Sequence, residues 1–172
     1  MTELIIRHVE DSDAQAVHEI LTARHVAEGT MRLTVATTQS SRARIAPADG
    51  VFKLVALSGG EVAGFCELIT HPDVPAHRHA GEVNMVATHP GCRGRGVGEA
   101  MMQHMLDLSD NWLQLSRLGL TVWARNSRAV ALYEKLGFEV EGTMRDYVFR
   151  NGEYLDALVM GRLVRRDAGR EA

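Results

Sequence analysis

Cysteine is scarce in this chain of 172 residues: there are two, Cys66 and Cys92, far apart and in no CxxC pair. That excludes a disulfide framework and a cysteine-based metal site. It fits a reducing cytoplasm, which is the expected location. No run of about 18 apolar residues occurs, so no membrane span is expected. The opening residues, MTELIIRHVE, lack the basic flank and long apolar stretch of a signal peptide. Basic residues are not in excess either. Nineteen Lys and Arg against 22 Asp and Glu give a formal net charge of −3, whereas a general nucleic-acid binder is usually basic. Aromatics are few, at 5%, and no repeat, linker or low-complexity segment interrupts the chain. What is present, 45% apolar and 24% charged residues, suits one globular domain with a sizeable core. The domain is expected over 1–164, followed by a polar tail, 165–172.

Hydrophobic periodicity predicts a mixed α/β order. Glu3 to Val9 reads as a strand. Ser12 with Gln15 has the S-x-x-Q spacing of a capping box, ahead of a helix striped by Ala14, Val17, Ile20 and Leu21 that fades near Glu28 and Gly29. Residues 30–50 are weakly patterned, with a short helix over Gln39 to Ile45. Phe52 to Leu57 and Val62 to Ile69 flank Ser-Gly-Gly-Glu as a hairpin. A histidine-rich connection, His71 to Ala80, leads to a strand over Glu82 to Thr88. A helix follows over Gly96 to Asn111, with Val97, Met101, Met105, Leu108 and Trp112 on its apolar stripe. Leu118 to Trp123 is a strand, and Ser127 to Leu136 a helix capped by Asn126 and ended by Gly137. Asn151-Gly152 closes a final hairpin of Glu139 to Phe149 and Tyr154 to Val164. Local hairpins combined with crossovers imply one mixed sheet flanked by helices.

Residues 91–98 concentrate glycine and arginine where a strand gives way to a helix. The first N–H groups of a helix have no partner within it, and the helix dipole makes them an anion site. Glycine lets backbone approach a ligand closely. Arg93, Gly94, Arg95, Gly96, Val97 and Gly98 therefore form a phosphate cradle, with the two guanidiniums flanking it. A P-loop would need Lys and Ser or Thr where Val97 and Gly98 stand. A dinucleotide fingerprint would need G-x-G-x-x-G, but Gly94, Gly96 and Gly98 give G-x-G-x-G, followed by Glu99. An overall acidic protein with focused arginines suits a small polyanion better than a long one.

Pro90, Arg93, Gly94, Gly96 and Gly98 match P-x-x-R-G-x-G-x-G. Asn126, Ala129, Tyr133, Gly137 and Phe138 match N-x-x-A-x-x-x-Y-x-x-x-G-F. In these motifs, and over nearly the whole chain, the sequence resembles the GNAT superfamily of N-acetyltransferases. Its ending, Arg145 to Asp156, is similar to a bacterial branch that acetylates the α-amino group of free L-amino acids. The resemblance implies a single-domain GNAT-like fold: a mixed, mostly antiparallel sheet with a central, splayed parallel strand pair. It implies acetyl-CoA as co-substrate, its pyrophosphate on Arg93 to Glu99 and its pantetheine along Val86, Ala87 and Thr88, with Asn126, Ala129, Tyr133 and Lys135 completing the site. Asn126 can cap its helix and contact the cofactor at once. Arg128 and Lys135 meet phosphates or lie on a wet helix face.

Acetyl transfer to an amine needs a base for the ammonium, a donor for the oxyanion and an acid for the thiolate. A phenol, with its ordinary pKa near 10, stays protonated beside a thiol of about 8.5, so Tyr133 is the candidate acid. The base is open among Glu82, an ordered water, and His77 or His79. An acyl-cysteine at Cys92 lacks a readable His-Asp set. His71, His77 and His79 lack a firm third-ligand frame, so no metal is expected. The resemblance implies direct transfer in a ternary complex, onto a small primary amine. The favoured acceptor is a free L-amino acid, with a polyamine, an aminoglycoside-type antibiotic or a protein N-terminus as alternatives. A regulatory domain that binds CoA without catalysis is a reading from another class. Residues 30–50 and 71–80 and the last hairpin are expected to wall the acceptor side. The edge of that hairpin suits a homodimer.

Overall fold

The computed structural model describes residues 4–33 and 35–164; Glu3 and the expected tail, 165–172, lie outside them. The chain runs β1 (Leu4–His8), α1 (Ala14–Thr22), α2 (Arg24–Gly29), α3 (Thr38–Ile45), β2 (Val51–Ser58), β3 (Glu61–Thr70) and β4 (Ala80–Thr88). It continues as α4 (Val97–Asp107), β5 (Arg117–Trp123), α5 (Ser127–Lys135), β6 (Glu139–Arg150) and β7 (Glu153–Leu163). All seven strands join one sheet in the order β1-β2-β3-β4-β5-β7-β6. Neighbours are antiparallel except β4 and β5. The mixed, mostly antiparallel sheet with one central parallel pair expected from the sequence is thus the observed architecture.

Strand alternation sorts the core into two layers. Val55 and Phe65 turn to one face, where they meet Val17, Ile20 and Leu21 of α1. Leu54, Cys66 and Leu68 turn to the other, against Met101, Met102 and Met105 of α4 and against Phe138. The three methionines of α4 are fully buried, and a side chain of that size contributes about 1.5–3 kcal/mol when removed from water. Gly64 lets α4 sit this close: a Cβ there would lie 2.6 Å from Met101 Cε and 2.9 Å from Val97 Cγ1.

Two local expectations are corrected. The first helix is not entered through Ser12 and Gln15. Gln15 Nε2 instead donates to Glu19 Oε1, and the N-terminal turn is closed by Glu10 N donating to Asp13 Oδ2 at 2.8 Å. Asp13 wins because Arg7 grips both its oxygens, at 2.8 and 3.0 Å, and fixes it where the backbone N–H can reach. The apolar stripe of α4 also stops early. The helix widens into a π-turn over Leu108–Trp112, and Trp112 is rotated out to 76% exposure.

Candidate active site

Strands β4 and β5 pair over only four registers, from Ala80 opposite Arg117 to Val83 opposite Leu120. Beyond that point β4 stays with β3, out to Thr88 opposite Gly64, and β5 stays with β7, out to Trp123 opposite Ala157. The parallel pair therefore splays, and the β5-facing edge of residues 84–88 has no strand partner. A bulge at Asn84 sets the phase of that edge, because Glu67 faces Met85 while Leu68 faces Val83. An extra residue reverses which side chains face which layer. Val83 packs in the α4 layer, yet Met85 and Ala87 pack in the α1 layer. Val86 and Thr88 consequently turn toward the start of α4, where a Cβ on Gly98 would meet Thr88 Cγ2 at 3.8 Å and Val86 Cγ1 at 4.0 Å.

On this side of the split lies a cavity of about 750 Å³. Val86, Ala87, Thr88, Arg93, Gly94, Gly96, Val97, Gly98, Glu99, Asn126, Ala129, Tyr133 and Lys135 line it. Arg95, expected with them, is exposed and not among the lining residues. Gly96 is the N-cap of α4 with φ +79° and no side-chain cap, a left-handed conformation natural to glycine. A Cβ there would meet nothing within 4 Å, and Gly96, Val97, Gly98 and Glu99 at the start of α4 all border the cavity. The lining residues fit a diphosphate: free helix N–H groups, the Arg93 and Arg128 guanidiniums alongside, and room left by absent side chains. Asn126 Oδ1 accepts from Ala129 N at 3.3 Å, capping α5. Lys135 Nζ pairs with Glu99 Oε1 at 2.5 Å, tying α5 to α4 across the cavity mouth. His25, which the sequence did not single out, reaches from α2 to within 3.0 Å of the Thr88 carbonyl oxygen.

Tyr133, on α5, lines the first cavity, its ring 6.1 Å edge-on from Phe138. Its hydroxyl makes no hydrogen bond among the described residues. Burial pushes its pKa up to about 12. The phenol is thus protonated at neutral pH and unencumbered, the state a proton donor needs.

Across the split is a second cavity, of about 650 Å³. The two share Gly29, Thr30, Val83, Asn84, Met85, Leu120 and Thr121, so they meet where the strands part. Glu82 lines the second cavity and not the first, with Oε1 3.8 Å from His71 Nε2. The rings of His71 and His77 stand 4.8 Å apart and those of His77 and His79 5.9 Å apart. Among the described residues, no three His, Cys, Asp or Glu side chains gather as a metal site. The segments expected to wall this side each contribute: Thr30, Met31, Arg32 and Arg44, then His77, then Tyr147 and Val159. Tyr147 arrives there through an irregularity in β6, where the register shifts between Met144 and Val148 and Asp146 takes φ +51°. Arg150, at the tip of the same hairpin, donates to the backbone carbonyls of Ala27, of Thr30 at 3.2 Å and of Arg32 at 2.9 Å. It holds the segment after α2 against the sheet from more than a hundred residues away.

Residues 14–138 match the acetyltransferase (GNAT) family, and the chain belongs to that family. It is an N-acetyltransferase with acetyl-CoA as its co-substrate. Among curated proteins, it is 34% identical to the L-amino acid N-acetyltransferase AaaT of Escherichia coli K12, over 95% of this chain and 99% of that one. It is 36% identical to the spermidine N(1)-acetyltransferase of the same organism, over 59% of this chain and 52% of that one. Among solved structures, yncA from Salmonella typhimurium, determined with its cofactor acetyl-CoA, superposes with a TM-score of 0.83 at 22% identity, over 99% of each chain. No helix among the described residues is long and apolar enough to cross a membrane.

Proposed function

We propose that this enzyme acetylates the α-amino group of a free L-amino acid. The observation that carries the reading is the charge of the second cavity. Arg32, Arg44, Arg117 and Glu82 line it; Arg44 is paired with Glu67 and Arg117 with Glu141, which leaves Arg32 as the lining arginine without an ion pair among the described residues. A polyamine carries only positive charge and needs acidic walls, whereas an amino acid brings a carboxylate to offset the Arg32 guanidinium and an ammonium to face Glu82. The relative AaaT, matched from end to end, supports the same acceptor.

Acetyl-CoA supplies the acetyl group as a thioester. The chain holds it through the start of α4 and the unpaired edge of β4, with residues 93–99 on the diphosphate and Val86, Ala87 and Thr88 along the pantetheine. The acceptor ammonium gives a proton to Glu82, directly or through a water. The freed amine attacks the carbonyl carbon, so that the C–N bond forms as the C–S bond breaks. Tyr133 donates its phenolic proton to the departing thiolate and is reprotonated by the second proton of the amine. A CoA-binding regulatory domain would have no use for a free, neutral phenol at the split. The deciding experiment is a screen of L-amino acids, polyamines and aminoglycosides with acetyl-CoA, read as free thiol released. Thiol release with amino acids is the expected result; release only with polyamines or aminoglycosides overturns the acceptor and keeps the reaction.

A further inference from the structure

Four buried side-chain nitrogens have no hydrogen-bond partner among the described residues, and three of them belong to residues lining the second cavity: Arg32 Nε, Arg44 Nε and Trp123 Nε1. Leaving a buried donor unpaired costs about 1–3 kcal/mol, and more for a charged group. A protein rarely carries several such donors at one place without a partner to fill them. Arg32 and Arg44 also border the cavity, and a guanidinium donates and cannot accept, so a group that meets them there must offer acceptors.

Charge narrows the choice. Arg44 Nη2 donates to Glu67 Oε1 at 3.2 Å, and Asn84 Nδ2 donates to the same oxygen. Glu67 is only 5% exposed, and its charge also acts on Arg32. The Arg32 guanidinium has no ion pair among the described residues. Burial and repulsion from Arg44 outweigh the attraction of Glu67 and act against its charge, an imbalance that an incoming anion would relieve. Arg32, Arg44 and Glu67 together leave one positive charge, which suits one carboxylate, while Glu82 in the same cavity remains for the ammonium. The site is also built in advance: Arg150 pins the Arg32 carbonyl, and the bulge that turns Val86 toward the cofactor also places Asn84 on Glu67.

We propose that Arg32 and Arg44 clamp the α-carboxylate of the acceptor in the second cavity, so that the enzyme selects amines bearing a free carboxylate and rejects the corresponding amides. The clamp rests on the amino-acid reading above and adds the group by which the substrate is chosen.

The test compares kcat/KM for the L-amino acids with that for their carboxamides, measured as thiol release from acetyl-CoA. The wild type should favour the acid by about 100-fold or more, since a built polar site rejects an analogue that leaves it unpaired. Arg32→Met should lower kcat/KM for the acid by about 100-fold, mainly through KM, and leave the amide within about threefold. Arg32→Lys should recover part of the loss. Calorimetric binding of CoA to each variant confirms a folded enzyme. Equal use of acid and amide by the wild type, which needs no variant, overturns the clamp and leaves the amino-acid reading standing. Failure of both, with thiol released by a polyamine, overturns clamp and acceptor together.

Discussion

On one side of the β4–β5 split the cavity draws most of its wall from two local stretches of chain, residues 83–99 and 126–135. On the other the wall is assembled from residues 29–32, 44, 77–85, 117–123, 147 and 159. The first side recognises through backbone. Helix N–H groups, a strand edge and glycines make a diphosphate site that depends on local conformation, so its residues must be close in sequence. The second recognises through side chains, chiefly arginines reaching in from separate elements. A change on the first side should therefore act on cofactor or chemistry, and a change on the second on the acceptor.

The largest effect is expected on the first side, from the candidate acid. Tyr133→Phe should leave CoA affinity within a fewfold and reduce kcat by about 10²–10³, within the range attributed to a positioned proton donor. Stopped-flow or steady-state turnover alongside CoA calorimetry checks it; unchanged turnover with every amine would remove Tyr133 from the chemistry. The pH profile sharpens the point. Because burial raises the phenol to about 12, above its ordinary value near 10, Tyr133 stays protonated throughout the working range. A loss of kcat below about pH 10 must then come from another group.

Arg150→Ala should be next in size and confined to the acceptor. Without its guanidinium, the carbonyls of Ala27, Thr30 and Arg32 lose their donor, and the loop bearing Arg32 is freed. Acceptor KM should rise about tenfold, with CoA affinity unchanged. A matching loss of CoA affinity would show that the two walls are not separable, since Gly29 and Thr30 border both cavities.

The same contrast explains what could be read from the chain. The cradle was legible because Gly94, Gly96 and Gly98 have a conformational reason to stand together, and the α5 motif because Asn126 caps the helix and Gly137, at φ +87°, ends it. The terminal hairpin was legible from Asn151 and Gly152, both at positive φ. The bulge at Asn84 was not, because nothing in Glu-Val-Asn-Met departs from an ordinary strand. Its cause lies across the sheet, in Glu67, and in Arg44 beyond it. Arg150 looked like a turn residue, and its partners lie about 120 positions earlier. Arg32 sat in the least patterned stretch of the sequence. Trp112 failed for a related reason: helical spacing was extended across a π-turn, where the phase changes.

The smallest catalytic effect should come from an anchor that borders neither cavity. Arg7 holds Asp13 at the entry to α1, and Asp13 is 6% exposed. The hydrogen bonds from Arg7 keep its carboxyl below the usual carboxylate range. A lowered folded-state pKa contributes stability that is fully present above the ordinary value near 4 and is lost as pH falls through the folded value. Arg7→Met removes the partner and leaves the carboxylate nearly buried, at a cost of about 1–3 kcal/mol, or a Tm lower by roughly 3–10 °C for a chain of this size. Calorimetric melts at pH 7 check the magnitude. Repeating them at lower pH checks the cause: the gap between wild type and variant should close as the medium becomes acid enough to protonate Asp13 in both. A gap independent of pH would mean that Arg7 acts through packing of its stem and not through its charge. In either case kcat and acceptor KM should stay near wild type, because the anchor steadies α1 without lining the cofactor or the acceptor wall.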